Sequence, residues 1–277
     1  MGNRVWRVAP AGVTAEEIAG LLGPLRAAPA RSAILCDIDG TLAPITERPD
    51  ETAVPESARA LLRELAGRFA LVACVSGRRA LEAREIVAVA ELHYIGNHGF
   101  ESVGPGDEAE RVDPRISGQA DAARDFLAGV EGSVLGAAGL RREDKGPIQS
   151  LHWRGASDEE RARGAAEELA RRAHGQELEA RWGRKVLELR PSAPIDKGSA
   201  IEPLLAEHRI ARALYGGDDV TDLDAFAALR RMRSDGQLEH AVCIGVASAE
   251  EPAELRQRSD LVVEGSEGFL ELLGRLR

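Results

Sequence analysis

The sequence of 277 residues is poor in cysteine, has no long apolar run and contains fewer basic than acidic residues. Its cysteines, Cys36, Cys74 and Cys243, each lie in an apolar stretch without C-x-x-C spacing, which predicts buried, reduced thiols in a reducing compartment. No apolar run approaches the length of a membrane span. The start, MGNRVWRVAP, lacks the apolar core of a signal peptide and has Trp6 where a myristoylation signal has Ser or Thr. We therefore expect a cytoplasmic protein.

The acidic excess limits the partners that the chain can bind. A net charge of -10 at pH 7 argues against a nucleic-acid partner, because the phosphates would repel the chain. Arginine-rich pieces such as RRMR lie within helical patterns, which indicates solvated faces. With 44% hydrophobic and 30% charged residues, the composition is that of a globular protein large enough for two units. We expect a monomer that binds neither nucleic acid nor membranes.

Short apolar runs alternate with helical patterns along most of the chain. These runs are Ala33–Cys36, Phe69–Val75, Leu92–Ile95, Ala213–Tyr215, Ala241–Val246 and Leu261–Val263. Strands that alternate with helices predict an α/β fold with a doubly wound, Rossmann-like parallel sheet. Before the first run, Thr14 and Glu17 have the spacing of a capping box, which predicts a short N-terminal helix followed by a linker.

The stretch between the third and fourth strands breaks this alternation. It reads as a helix, two strands, a helix and two strands, and the short polar turns between the strands indicate antiparallel hairpins. Joints that contain Gly or Pro, SVGPGDE and RPSAP, flank it. We therefore predict an N-terminal helix and linker at 1–30, a core domain at 31–104 and 192–277, and an inserted α+β domain at 105–191.

Polar residues follow the predicted strands of the core. They are Asp37 and Asp39 after the first strand, Ser76, Gly77 and Arg78 after the second, Asp218 and Asp219 after the fourth, and Lys197 at the start of the helix before the fourth. Because the carboxyl ends of parallel strands meet at one edge of the sheet, we expect these side chains to lie close together. A lone Asp-x-Asp after a strand would fit an ordinary turn or helix cap; four such groups at one edge indicate a site.

The residue types indicate phosphoryl chemistry. Carboxylates without a His or Cys cluster select a hard cation, Mg²⁺ rather than Zn²⁺. One carboxylate can act as a nucleophile and form an acyl phosphate, and a second, two residues on, can protonate the leaving oxygen and then activate water. A serine hydroxyl, a lysine ammonium and backbone N–H groups can bind the phosphoryl oxygens, and Gly40 lets the backbone approach them. The spacing excludes an EF-hand calcium loop.

Four motifs, DIDGTLAPI, SGR, DKG and GGDDVTD, resemble the ordered motifs of the haloacid-dehalogenase phosphatase superfamily. Together with GNHGFE, REDKGPIQSLHWRG and VLELRPSAPIDKGSAI, they closely resemble trehalose-6-phosphate phosphatases, over roughly Ile34 to Leu276. The inserted domain stands where that family has its C2-type cap. The resemblance implies a Mg²⁺-dependent phosphatase that hydrolyses trehalose 6-phosphate to trehalose and phosphate through a phospho-aspartate, the last step of trehalose biosynthesis.

The resemblance also implies roles for individual residues. Asp37 would be the nucleophile and Asp39 the general acid and base, while Ser76 and Lys197 would hold the phosphoryl group. The implied Mg²⁺ site comprises the Asp37 carboxylate, the Asp39 backbone carbonyl and Asp218, with Asp219 and Asp222 nearby or acting through water. The implied substrate contacts are Thr41, Gly77, Arg78, Asn97, His98, Glu143, Lys145, His152, Arg154 and Glu188. Leu223 departs from the family, which commonly has Glu there.

Several alternatives remain open at this point. A phosphatase for another sugar phosphate, such as sucrose phosphate or mannosyl phosphoglycerate, would share the motifs, and a non-catalytic sugar-phosphate sensor would share the fold. Glu143 and Lys145 could form a surface salt bridge with no bearing on substrate. His152 fits a half-buried strand position as well as a sugar contact. Trp153 and Trp182 fit either the core of the inserted domain or platforms for a sugar ring.

Overall fold

The computed structural model describes residues 14–46, 52–130, 132–183, 185–248 and 251–277. The strands in this part of the chain are β1 (Ser32–Cys36), β2 (Leu71–Val75), β3 (His93–Gly96), β4 (Glu101–Val103), β5 (Arg111–Val112), β6 (Arg141–Lys145), β7 (Ile148–His152), β8 (Leu178–Gly183), β9 (Val186–Pro191), β10 (Arg212–Gly217), β11 (His240–Ala247) and β12 (Leu261–Glu264). The helices are α1 (Ala15–Ala27), α2 (Glu56–Ala66), α3 (Ala80–Val87), α4 (Ala122–Ala128), α5 (Gly132–Ala138), α6 (Glu159–Ala173), α7 (Lys197–Glu207), α8 (Asp222–Ser234), α9 (Leu255–Arg258) and α10 (Gly265–Gly274).

The chain divides into two compact units. The first contains the described residues up to Arg111 together with Ile195–Arg277, and the second is Val112–Pro194. The first sheet has the strand order β12-β11-β10-β1-β2-β3-β4-β5, and the pairs from β12 through to β3 are parallel. The structure therefore has the predicted α/β class with a mainly parallel sheet.

Strand β1 shows how the sequence produces the two layers of helices in the first unit. All five of its residues are buried, which is typical of a parallel strand covered on both faces. Because successive side chains point to opposite faces, Ile34 and Cys36 pack in one hydrophobic cluster and Ala33 and Leu35 in another. Apolar side chains thus cover both faces of the sheet, as the doubly wound prediction requires.

Strand β4 extends this sheet beyond the third predicted strand. It pairs antiparallel with β3, with Gly96 opposite Glu101. This strand was not predicted, because three residues are too few to show a strand periodicity. The Glu101 carboxylate accepts the N–H of Ala80 at 2.8 Å, which satisfies a donor at the start of α3. The loop through Asn97 and His98 therefore connects two paired strands, β3 and β4.

The second unit contains an antiparallel sheet of order β6-β7-β9-β8. Leu151 and Leu187 pair in register and pack in the hydrophobic core of this unit, which also contains residues of α4, α5 and α6. Their neighbours Ser150 and Glu188 pair in register on the other face, and Glu143 of β6 lies opposite Ser150. Alternation therefore gives this sheet one apolar face and one polar face.

Two further predictions concern the whole chain. Cys36, Cys74 and Cys243 are buried, as predicted. Among the helices of the described ranges, none has both the length and the apolar character that crossing a membrane would require.

Candidate active site

The turn that follows β1 carries the first pair of acidic residues. The N–H of Asp37 donates to the carbonyl of Gly216 at 2.9 Å, which continues the pairing with β10 by one residue. The chain then turns, and Gly40 has a φ of +88°, a conformation that favours glycine. A Cβ on Gly40 would lie 2.1 Å from Oδ2 of Asp218, so only glycine permits this close approach. The turn after β1 and the loop after β10 therefore meet at the carboxyl edge of the sheet.

Three carboxylates and one ammonium form a buried cluster at this edge. One carboxylate oxygen from each of Asp37, Asp218 and Asp222 lies within 4.8 Å of the others. Lys197, the first residue of α7, donates from Nζ to Oδ1 of Asp37 at 2.8 Å and to Oδ1 of Asp222 at 2.7 Å. The side chains of Lys197 and Asp222 are 2% and 0% exposed. The predicted convergence of residues from β1, α7 and β10 is thus present in the structure.

The charges in this cluster do not balance. Burial, followed by the charges of Asp222 and Asp218, raises the pKa of Asp37 well above its usual range, although Lys197 opposes the shift. Burial and the charge of Asp222 raise the pKa of Asp218 to about 7. Burial lowers the pKa of Lys197, but the carboxylates of Asp222 and Asp37 more than offset this and raise it. A cation would relieve the repulsion, and a donor set of carboxylate oxygens suits a hard one, so these residues could hold a metal ion.

Asp222 accepts hydrogen bonds from several groups around the cluster. Its Oδ1 accepts from Lys197 and from the hydroxyl of Tyr215 at 2.8 Å, and its Oδ2 accepts from the N–H groups of Asp218 and Asp219, both at 3.0 Å. A Cβ on Gly217 would lie 2.2 Å from Cγ of Asp222, which explains the glycine. Asp222 therefore orients the lysine and the loop. Tyr215 was not predicted as a site residue, because it stands in an apolar run that is typical of a core strand.

Asp39 has a different environment from Asp37. Arg78 donates from Nε to Oδ2 of Asp39 at 2.7 Å and from a terminal nitrogen to Oδ1 at 2.8 Å, a bidentate ion pair. The hydroxyl of Thr52 also donates to Oδ1, at 3.0 Å, and Arg78 reaches Glu82 at 2.5 Å. The hydrogen bond to Asp39 raises the pKa of Arg78. The predicted site residues Asp39 and Arg78 are thus in direct contact. Thr52, which was not predicted, also contacts Asp39.

The serine motif is supported by the loop after β3. Ser76 is buried, its N–H donates to the carbonyl of Ile95 at 2.9 Å, and its hydroxyl accepts the N–H of Arg78 at 3.1 Å. A Cβ on Gly77 would lie 2.6 Å from the ring of His98. The N–H groups of Asn97 and His98 donate to the carbonyls of Arg78 and Ser76 at 2.7 and 3.0 Å. The predicted residues Asn97 and His98 therefore pack directly against the serine loop.

Two other predicted site residues, Thr41 and Asp219, lie beside the cluster, as does Leu223. Thr41 donates its hydroxyl to Oδ1 of Asp218 at 3.0 Å. Asp219 is exposed, and its Oδ1 accepts the N–H of Val220 at 2.6 Å, so its carboxylate caps the loop. Leu223 is buried in one of the two hydrophobic clusters of the first unit.

The second unit carries a separate polar group of predicted residues. On the polar face of its sheet, Lys145 lies 3.2 Å from Glu188, and Nε2 of His152 lies 2.7 Å from Oε2 of Glu143. This hydrogen bond from His152 lowers the pKa of Glu143. Ser150, whose hydroxyl donates to Glu188 at 3.3 Å, was missed although its two-residue spacing from His152 places it on the same face.

Arg154 differs from these residues. It is exposed in the turn after β7, beyond the paired part of the sheet. The structure thus brings together Glu143, Lys145, His152 and Glu188 on one face, and Arg154 lies at its edge.

Comparisons with known proteins agree with these observations. The family model described as trehalose-phosphatase matches residues 35–259. Trehalose 6-phosphate phosphatase RA3 of Zea mays is 36% identical over 215 residues, which cover 71% of this chain and 58% of that protein. A trehalose-phosphate phosphatase of Mycolicibacterium paratuberculosis is 31% identical over 258 residues, 85% of this chain and 64% of that one.

Among solved structures, a trehalose-6-phosphate phosphatase related protein is 26% identical, with a TM-score of 0.67 and coverage of 88% of this chain and 96% of that chain. The chain spans less than two thirds of the length of the two curated relatives. The family match covers most of the chain, including all four motifs of the first unit, and confirms the resemblance. The chain belongs to the trehalose-phosphatase family.

Proposed function

We propose that this protein hydrolyses trehalose 6-phosphate to trehalose and phosphate. The observation that supports this most directly is the buried cluster of Asp37, Lys197 and Asp218 at the carboxyl edge of a parallel sheet. A buried site that contains an ammonium and can also hold a cation can bind a phosphoryl group and stabilise the charge that develops on its oxygens. Membership of the trehalose-phosphatase family supports trehalose 6-phosphate as the substrate.

In the proposed first step, a carboxylate oxygen of Asp37 attacks the phosphorus atom. The bond between phosphorus and the sugar oxygen breaks, the sugar oxygen takes a proton from Asp39, and an acyl phosphate forms on Asp37. In the second step Asp39 takes a proton from water, whose oxygen attacks the phosphorus atom and releases phosphate and the Asp37 carboxylate. The two hydrogen bonds from Arg78 fix the orientation of the Asp39 side chain.

Other residues of the first unit would bind the phosphoryl group. The ammonium of Lys197 and the hydroxyl of Ser76 can donate to its oxygens, and Gly77 and the backbone near Thr41 allow close approach. We propose that Asp37, Asp218 and the backbone carbonyl of Asp39 hold Mg²⁺. Asp219 would lie outside the direct ligand set, as would Asp222, whose two oxygens already accept from Lys197, Tyr215 and two loop N–H groups. When bound, Mg²⁺ would neutralise negative charge on the phosphoryl oxygens.

We propose that the second unit acts as the cap and recognises the sugar. Glu143, Lys145, His152 and Glu188 offer carboxylates, an ammonium and an imidazole on one face, a set that can accept from and donate to sugar hydroxyls. Sites built on such hydrogen bonds discriminate strongly, because a wrong ligand leaves buried polar groups unpaired. Contacts by Asn97, His98 and Arg154 stay predictions from the family resemblance. Action as a monomer in the cytoplasm stays a prediction from the sequence.

Release of phosphate from a panel of substrates tests this proposal. The panel contains trehalose 6-phosphate, sucrose 6-phosphate, mannosyl phosphoglycerate, glucose 6-phosphate and an aryl phosphate, each with Mg²⁺ and with excess chelator. We expect a preference for trehalose 6-phosphate and loss of turnover on chelation. Asp235→Asn, which changes an exposed acid at the end of α8, serves as the control for general charge effects. Equal rates on all sugar phosphates, or full activity in chelator, would contradict the proposal.

A further inference from the structure

Trp182 is exposed to an unusual extent for a tryptophan. It lies in β8 and is 48% exposed, whereas Trp153, which follows β7, is 6% exposed. The centroids of the two indole rings lie 6.0 Å apart with an interplanar angle of 69°, so the rings form an edge-to-face corner. Leaving a large aromatic surface in water forgoes favourable burial, and the exposed ring is free to pack against the apolar face of a ligand.

The two rings line a pocket of the second unit. Its volume is about 430 Å³, and its lining consists of Trp153, Glu159, Glu160, Arg163, Trp182, Gly183 and Lys185. Ligand pockets of proteins commonly measure roughly 300 to 1,000 Å³. The pocket has the size for one or two sugar rings.

The pocket lies on the opposite face of the sheet from the polar residues described above. Trp182 pairs in register with Leu187, whose side chain belongs to the apolar core, whereas the adjacent pair is Arg181 and Glu188. Because successive residues of a strand point to opposite faces, Trp182 and Glu188 face different sides of the sheet. The tryptophan pocket is therefore separate from the group formed by Glu143, Lys145, His152 and Glu188.

The charges around the pocket favour a neutral ligand. The lining contains two carboxylates, Glu159 and Glu160, and two cations, Arg163 and Lys185, and Lys185 lies 2.7 Å from Glu159. An anion such as a phosphate would meet both carboxylates, and an organic cation would meet both basic groups. A neutral molecule with many hydroxyl groups can instead donate to the carboxylates and accept from the basic groups without a net charge of its own.

We propose that this pocket is a second carbohydrate site, which binds a neutral glycoside. The face of the Trp182 indole packs against the apolar C–H groups on one face of a pyranose ring, and Trp153 limits the depth of the pocket. Glu160, Arg163 and Lys185 bind the ring hydroxyls at its rim. The ligand carries no phosphate, so the site differs in chemistry from a sugar-phosphate site, and the proposal holds whether or not the protein is a phosphatase.

Tryptophan fluorescence tests the proposal directly, because the chain contains only three tryptophans, Trp6, Trp153 and Trp182. In a Trp6→Phe background the emission comes from the two pocket residues. Titration with trehalose, and with maltose as a second neutral disaccharide, should give a saturable change in emission, and calorimetry should give the same dissociation constant. Trp182→Ala should weaken this binding by about tenfold or more, and Trp182→Phe by less, because an aromatic ring remains.

Three control measurements establish whether the sugar binds in this pocket. Glu188→Ala, on the opposite face, should leave the trehalose affinity of the pocket unchanged, and Val112→Ala, another exposed apolar residue of this unit, should do the same. Trp182→Ala should hydrolyse trehalose 6-phosphate at the rate of the unmodified protein. Circular dichroism and thermal unfolding of each variant show whether it is folded.

The following results would overturn the proposal. One is the absence of any saturable change with either sugar; another is binding that Glu188→Ala removes and Trp182→Ala preserves. A third is a dimer of the unmodified protein that Trp182→Ala dissociates, which would make the exposed indole a contact between copies of this chain. A lack of phosphatase activity in the unmodified protein would contradict the proposed function and leave the sugar-binding result intact.

Discussion

A lysine paired with a carboxylate occurs at the predicted sites of both units, in very different surroundings. Lys197 and its partner Asp222 have side chains that are 2% and 0% exposed, whereas Lys145 and Glu188 are 19% and 18% exposed. Removing one member of a fully buried pair leaves an uncompensated charge, while water can reach the half-buried pair and replace a missing partner. The buried pair is therefore also part of the stability of the first unit, whereas the half-buried pair of the second unit can change its contacts at a smaller cost.

The largest expected effect is on turnover, through the cluster of the first unit. Asp37→Asn keeps the size of the side chain but supplies an amide, which cannot form an acyl phosphate, so hydrolysis of trehalose 6-phosphate should fall to background. The measurement is phosphate release under single-turnover and multiple-turnover conditions. Asp235→Asn should be unaffected. Retention of substantial turnover in Asp37→Asn would exclude this residue as the nucleophile.

The second prediction compares the two lysines directly. Lys197→Met removes the partner of two buried carboxylates, Asp37 and Asp222, and should lower the free energy of unfolding by about 3 to 5 kcal/mol in chelator. Lys145→Met makes the same chemical change at the half-buried pair and should lower the free energy of unfolding by about 1 kcal/mol. Urea unfolding of both variants measures the difference. Equal losses would show that burial does not distinguish the two pairs.

A third prediction concerns substrate recognition in the second unit. Glu143→Ala and Lys145→Ala should lower kcat/KM for trehalose 6-phosphate by about 10² or more, because sugar hydroxyls lose their partners. Hydrolysis of a small aryl phosphate, which has no sugar to recognise, should change little. Parallel losses on both substrates would indicate a structural role for these residues, and no loss on either would place sugar recognition elsewhere.

The smallest expected effect is on the pH dependence of stability. The pKa of Asp218 is about 7 in the folded protein against 3.8 as its ordinary value, and that of Asp37 is raised as well. At pH values between 3.8 and about 7, the folded protein binds more protons than the unfolded chain. The free energy of unfolding should therefore fall as the pH rises through this range. Mg²⁺ should therefore raise Tm more at about pH 8 than at about pH 5, since cation binding relieves the same repulsion.

Thermal unfolding with Mg²⁺ and with chelator, across this range of pH, tests the last prediction. Asp218→Asn removes the titrating group and should give a flatter dependence on pH in chelator. A stability of the metal-free protein that instead rises with pH through this window would contradict the origin assigned to it.

Much of this protein followed from local sequence pattern. Apolar runs that alternate with helical patterns determined the parallel sheet, and the rule that polar groups meet at the carboxyl edge of such a sheet was enough to group Asp37, Lys197 and Asp218. The two-residue alternation of Glu143 and Lys145 placed both on one face of their strand. These features depend on periodicity and chain order, which a sequence contains.

The individual hydrogen bonds were decided only by the tertiary structure. Thr41 and Asp218 are 177 residues apart, and nothing near either position predicts that they meet. The same is true of Arg78 and Thr52 on Asp39, and of the pocket formed by Trp153 and Trp182. A hydrogen bond requires its atoms to lie within a few tenths of an ångström of their optimal separation, and only the packing of distant segments determines positions that closely.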